Sequence, residues 1–151
     1  MTDFEKVCGT AVCTGCSQDQ LDSIREKFSH DRFATEAAGI TIEEVKPQYA
    51  RCEMMIQPVH LNARGAVMGG AIFTLADFVG AVAANSCKDT TDVVTLHVSM
   101  DFLSAAKGNK LIGEACCLKD GRSTCLYEVK ITDELGTRVA HATVNGFAVK
   151  K

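Results

Sequence analysis

Between Arg64 and Lys88 the chain carries one charged residue, Asp77, in the middle of a run rich in glycine and alanine. A run of this kind is buried either in a bilayer or in the centre of a soluble fold. An aspartate halfway along a membrane span costs about 2.5–3.5 kcal/mol even on the lenient insertion scale. No flanking basic cluster or second span supports insertion, so no membrane is expected as a partner. The run reads instead as a helix that begins at Gly69 or Gly70 and ends near Cys87. It is apolar nearly all round, which predicts burial on all sides. A carboxylate in such surroundings is costly to desolvate, and its pKa should tend upward unless a partner holds it charged. Acids perturbed in this way concentrate at functional sites, although a core helix also accommodates an aspartate bonded to neighbouring backbone.

With 151 residues, 46% of them hydrophobic, the chain can bury one sizeable core. A formal net charge of −3 leaves no electrostatic footprint for nucleic acid. The start, Met-Thr-Asp-Phe-Glu-Lys, lacks the apolar core of a signal peptide. The eight cysteines therefore point to reduced thiols in a cytoplasmic protein rather than to a disulfide framework. Cys8, Cys13 and Cys16 have a spacing that can ligate zinc or iron, but closed sites want four ligands and no fourth lies nearby. Residues 1–17 thus read as a cysteine-containing tail, and residues 18–151 as a single domain.

Within that domain, Leu21, Ile24 and Phe28 recur at helical spacing and predict a short amphipathic helix over residues 18–30. From Gly39 the period changes to two. Ala50, Cys52, Met54 and Ile56 alternate with Tyr49, Arg51, Glu53 and Gln57, as in a half-buried strand. After the apolar helix, Val94, Leu96, Val98, Met100 and Phe102 are expected to point one way and Thr95, His97, Ser99 and Asp101 the other. A strand near residues 110–119 reaches Asp120-Gly121, a strong hairpin signal. Cys125, Tyr127, Val129 and Ile131 then alternate with polar neighbours, and a Glu134-Leu135-Gly136 turn leads to a last strand ending near Val149. One buried helix followed by an antiparallel meander predicts an α+β fold, a sheet wrapped on a long central helix.

The glycines at the helix start offer free backbone N–H groups and the positive end of the helix dipole, a pair suited to polarising a carbonyl. They also suit a tight turn or close packing. Asp77 lies eight residues beyond Gly69, roughly 12 Å along a helix axis. A carbonyl held at Gly69 is out of its reach. If both serve one reaction, the aspartate comes from a second subunit whose helix runs antiparallel across a two-fold axis. That arrangement implies a homodimer or a dimer of dimers (a tetramer).

The string His60-Leu-Asn62-Ala-Arg-Gly65-Ala-Val-Met68-Gly69-Gly70-Ala-Ile-Phe-Thr-Leu-Ala-Asp77 resembles the signature of hotdog-fold acyl-CoA thioesterases of the phenylacetate-pathway, or PaaI-like, type. Their usual form is H-x-N-x-x-G-x-x-H-G-G-x-x-x-x-L-x-D. The resemblance implies a hotdog fold and hydrolysis of acyl- or aryl-acyl-CoA to free acid and coenzyme A, with neither metal nor cofactor. By position, Asn62 matches the residue that binds the thioester carbonyl or fixes the loop beside it. Gly69 matches the N–H donor to that carbonyl, and Asp77 the general base or nucleophile. Thr95 falls where some relatives carry a water-orienting serine. Gly70, Met68 and His60 would lie beside the substrate. One departure is plain: the family often has histidine where this chain has Met68, and methionine cannot donate a hydrogen bond. That substitution leaves open a non-catalytic module that binds or senses acyl-CoA. Phe73, Phe78, Phe102 and Met68 suit core and pocket equally, so the acyl group is not legible.

Overall fold

Alternating burial organises the sheet, and one apolar helix supplies what it wraps. A computed structural model describes residues 17–86, 88 and 90–151. The Cys8, Cys13 and Cys16 segment lies outside the described residues. The strands are β1 (Ile40–Lys46), β2 (Tyr49–Met55), β3 (Thr91–Phe102), β4 (Lys110–Asp120), β5 (Thr124–Asp133) and β6 (Arg138–Lys150). The helices are α1 (Gln18–Ser29) and α2 (Gly69–Asn85). All neighbouring strands are antiparallel and form one six-stranded sheet in the order β1-β2-β4-β5-β6-β3. Helix α2 lies across its concave face against β2, β3, β4 and β5. Among the described residues, no helix is long and apolar enough to cross a membrane.

Ala50, Cys52 and Met54 of β2 and Tyr127, Val129 and Ile131 of β5 are buried under α2, as their alternation predicts. They meet Leu75, Val79 and Val82 of the helix. Close seating of α2 depends on Gly113 of β4, where a Cβ would come within 3.1 Å of Leu75 Cγ and 3.3 Å of Val79 Cγ1. Helix α1 starts with a capping box between Ser17 and Gln20. Its Phe28 stacks edge-on against Phe78 of α2 at 5.5 Å between centroids, and Arg25 donates twice to the Ile42 carbonyl of β1. A five-residue π-helical segment, Phe33–Ala37, which no sequence period signalled, links α1 to β1.

Three expectations are corrected. Helix α2 is not buried on all sides, because Gly70, Phe73, Thr74, Asp77 and Ala81 form a stripe that the sheet leaves partly or fully open. The alternation of β3 breaks between Thr95 and His97, where the register against β6 shifts. The bulge at Leu96 turns Val93 and Thr95 toward the helix on one side of the break, and Val98 and Met100 toward it on the other. Val94 and Leu96, expected on the same side as Val98 and Met100, are instead 45% and 62% exposed. Finally, the cysteines are not all free thiols. Cys116 is disulfide-bonded, whereas Cys52, Cys117 and Cys125 are free.

Candidate active site

The loop leading into α2 is closed by one side chain. Asn62 Oδ1 accepts the backbone N–H groups of Arg64 at 2.9 Å and Ala66 at 3.2 Å. Its own N–H donates to the Ala66 carbonyl, and its carbonyl accepts from Gly65 N–H. A short amide reaches backbone a few residues on, which is why asparagine suits this position. Gly65 has φ +75°, a conformation open to glycine. Of the two roles that the resemblance implies for Asn62, its oxygen is engaged in fixing the loop.

His60 braces the same loop from beneath. It is 5% exposed, its carbonyl accepts Met68 N–H at 2.8 Å, and its Nδ1 accepts Gln57 N–H at 3.0 Å. That bond leaves the ring proton on Nε2, which is buried without a partner in the described residues. His97, by contrast, is exposed on β3.

Met68 is the residue before the first helical turn, with extended backbone (φ −63°, ψ 139°) and no side-chain cap. A serine or aspartate there would fold back onto the first N–H groups. Methionine cannot. The first helical bonds run from Ala71 and Ile72 to the Met68 carbonyl, so Gly69 and Gly70 N–H have no acceptor among the described residues. Two apolar side chains flank these donors. The Phe102 ring tip lies 3.2 Å from where a Cβ on Gly69 would sit, and the Met68 methyl 3.3 Å from the corresponding point on Gly70. Phe102 suits core and pocket equally in the sequence, and nothing there marks its seat on Gly69. Phe78, in contrast, is core.

Farther along α2, Asp77 is half-exposed on the open stripe. Thr95 Oγ1 donates to Asp77 Oδ1 at 2.9 Å, a bond the Leu96 bulge makes possible by turning Thr95 inward. Asp77 Oδ2 accepts no hydrogen bond from the described residues. Since Asp77 is open in the single chain, desolvation of its carboxylate requires a further covering surface. The free thiols have a different character: burial pushes Cys52, Cys117 and Cys125 all up, which suits packing rather than nucleophilic attack.

The site therefore has two halves, unpaired N–H donors at a helix start and a carboxylate held by a hydroxyl. The first can hold a carbonyl oxygen and the charge that develops on it. The second can take a proton from water. The family model of the Thioesterase superfamily matches residues 64–140, the stretch that contains both halves. A putative esterase of Archaeoglobus fulgidus is 35% identical over 132 residues, 86% of this chain and 84% of that protein. A hypothetical thioesterase from Streptococcus pneumoniae, solved with coenzyme A, is 28% identical with a TM-score of 0.74, covering 83% of this chain and 97% of that one. A variant of the phenylacetic acid degradation protein PaaI from Thermus thermophilus is 27% identical with a TM-score of 0.69, covering 76% and 96%. Fold, helix-start donors and family match agree, and the chain belongs to the thioesterase superfamily as a PaaI-like protein of the hotdog fold.

Proposed function

We propose that this chain hydrolyses acyl- or aryl-acyl-CoA thioesters to free acid and coenzyme A, at sites each shared between two subunits. The observation that carries the reading is the pairing of uncapped N–H donors at Gly69 and Gly70 with a carboxylate whose one oxygen is occupied by Thr95. The thioester oxygen accepts Gly69 N–H, which withdraws charge from the carbonyl carbon. Asp77, with Oδ1 held by Thr95, presents Oδ2 to a water and takes its proton as the oxygen adds to that carbon. The tetrahedral oxyanion rests on the N–H donors and the positive helix end. Its collapse expels the coenzyme A thiolate, which takes the proton back from Asp77. Neither a metal nor a cofactor is required by this sequence of steps. The relative solved with coenzyme A supports the choice of thiol.

One chain alone does not complete the reaction. Gly69 and Asp77 are eight residues apart on one helix, roughly 12 Å, whereas reacting atoms meet at about 3–3.5 Å. Sharing is supported by β3, a twelve-residue edge strand whose outer side has no sheet neighbour among the described residues. Val94 and Leu96 are exposed beside it. An edge of this length and apolarity needs covering. A second β3 laid antiparallel across a two-fold axis covers it and brings each Asp77 toward the other subunit's Gly69.

A second reading, a binding or sensing module, is favoured by Met68, which replaces the hydrogen-bonding histidine of the family pattern. Release of free thiol from a panel of acyl-CoAs of varied length and aromaticity separates the two. Steady turnover by a protein that light scattering finds dimeric or larger supports the proposal. Tight acyl-CoA binding without thiol release favours the module, and full turnover by a monomer overturns the shared site.

A further inference from the structure

We infer that Phe102, with Met68 as its flexible counterpart, is the selectivity wall of this site. It faces the carbon next to the reacting carbonyl. It admits acyl groups that are unbranched or planar at that carbon and turns away those branched there. The inference rests on the thioesterase reading above and deepens it.

Phe102 closes β3 opposite Ala140 of β6. Beyond the Leu96 bulge it shares the helix-facing parity of Val98 and Met100, which pack against the core. Phe102 does not join them: its side chain runs on to the start of α2 and remains 56% exposed. Its Cζ, Cε1 and Cε2 atoms lie 3.2, 3.4 and 3.7 Å from where a Cβ on Gly69 would be, so the ring meets the glycine tip-first. A Cβ at Gly69 would make the ring give by a few tenths of an ångström, so the glycine sets the ring's seat as well as offering its N–H. An acyl oxygen roughly 2.9 Å from Gly69 N leaves its neighbouring carbon against this ring. The ring offers no hydrogen-bonding group, and the Met68 thioether is only a weak acceptor. The amides of a pantetheine arm find little there, whereas hydrocarbon packs against both.

The wall is stiff on one side and soft on the other. Phe102 is held by its ladder to β6 and by Leu103 N–H donating to the Val139 carbonyl. Met68 has three rotatable side-chain bonds and adapts. A flat or single-file substituent slides between them, but a second substituent on the same carbon must displace an anchored strand end. In the antiparallel edge pairing proposed above, the end of one β3 lies beside the beginning of the other. Phe102 is thereby carried toward the partner subunit's Thr95 and the partner subunit's Asp77, where the acyl carbonyl reacts.

The test compares butanoyl-CoA with 2-methylbutanoyl-CoA, which differ by one methyl group at the critical carbon. The readout is the ratio of kcat/KM, branched over straight, in wild type, Phe102→Ala, Phe102→Leu and Phe102→Tyr. One methyl group in a fitted pocket is worth about 10–200-fold in discrimination. Phe102→Ala should therefore raise the ratio at least about tenfold, Phe102→Leu by less, and Phe102→Tyr should keep the wild-type value because the planar ring remains. Parallel loss on both substrates, with the ratio unchanged in Ala and Leu variants alike, overturns the inference. The same ratio is measured as Kd for the two ligands by calorimetry in an Asp77→Asn background. If wild type releases no thiol from either ligand, the hydrolytic reading fails, and the Kd ratio alone still decides for or against the wall. Should Phe102→Ala not fold, the ratio in Phe102→Leu settles the matter.

Discussion

Subunit sharing can be tested by combining two defects that lie on opposite halves of the site. Asp77→Asn removes the base while keeping the side chain's shape, a loss of about 10²–10⁴-fold for general-base assistance. Gly69→Pro removes one carbonyl donor, worth about 10²–10³-fold. Proline is tolerated there because Gly69 is the first helical residue. Met68 before it already has φ −63° and ψ 139°, the extended backbone that proline demands of its predecessor. Of the three ring carbons added, Cβ comes within 3.2 Å of the Phe102 ring tip, which must shift by a few tenths of an ångström, and Cδ takes the place of the N–H hydrogen. Each homodimer should then run at or below about 1% of wild type. In a mixed dimer built across a two-fold axis, one site takes both defects and the other takes neither. Dimers purified through a different affinity tag on each variant should release thiol at about half the wild-type rate. Without that selection, random reassociation of equal amounts should give about a quarter. Both values stand far above the parental backgrounds. A doubly tagged dimer no faster than the sum of its parents would refute the reasoning, because it would mean that one chain builds a whole site across the roughly 12 Å between Gly69 and Asp77.

Three further outcomes are expected. Thr95→Val, which removes the 2.9 Å bond to Asp77, should lower kcat about three- to tenfold with little change in KM, while Thr95→Ser restores it; an unchanged kcat in steady-state assays sinks the orienting role. Burial alone would raise the Asp133 carboxyl, but the backbone N–H groups of Lys107, Thr137 and Gly108 hold it well below the usual range. Its contribution to stability is thus complete above the unfolded pKa, about 3.9, and drains as pH falls from there toward the lower folded value. Thermal unfolding between about pH 5 and pH 2 should show that decline, and Asp133→Asn should flatten it while lowering Tm at pH 7; a slope identical to wild type removes the carboxylate from the explanation. Gly146→Ala places a Cβ 2.5 Å from Val93 Cγ1 of β3 and 2.9 Å from Cys125 Sγ of β5, so these side chains or the strands that carry them must shift. A destabilisation of about 1–3 kcal/mol in chemical denaturation is expected, and a neutral result would show that the two side chains give way without cost.

Local pattern was enough for much of the fold. The start of helix α2 at the Gly69-Gly70 pair is legible to within a residue, and β2 and β5 bury alternate residues because period two leaves them one apolar face each. Asp77 about two turns along follows from spacing, and so does its separation from the helix start; the structure makes Gly69 the first helical residue. The rest was decided by packing. The bulge at Leu96 depends on how β3 lies against β6, where Gly146 leaves no room for a side chain opposite Thr95. That register turns Thr95 toward Asp77 and, farther on, Phe102 toward Gly69. The open stripe of α2 is set by which strands curl over the helix, not by its own composition, since Phe73 and Phe78 are equally apolar and only Phe78 is covered. A chain's own sequence specifies period, charge and chain breaks, which act over a few residues. Which face meets a neighbour depends on contacts between segments far apart in the chain, and those exist only once the sheet has closed around its helix.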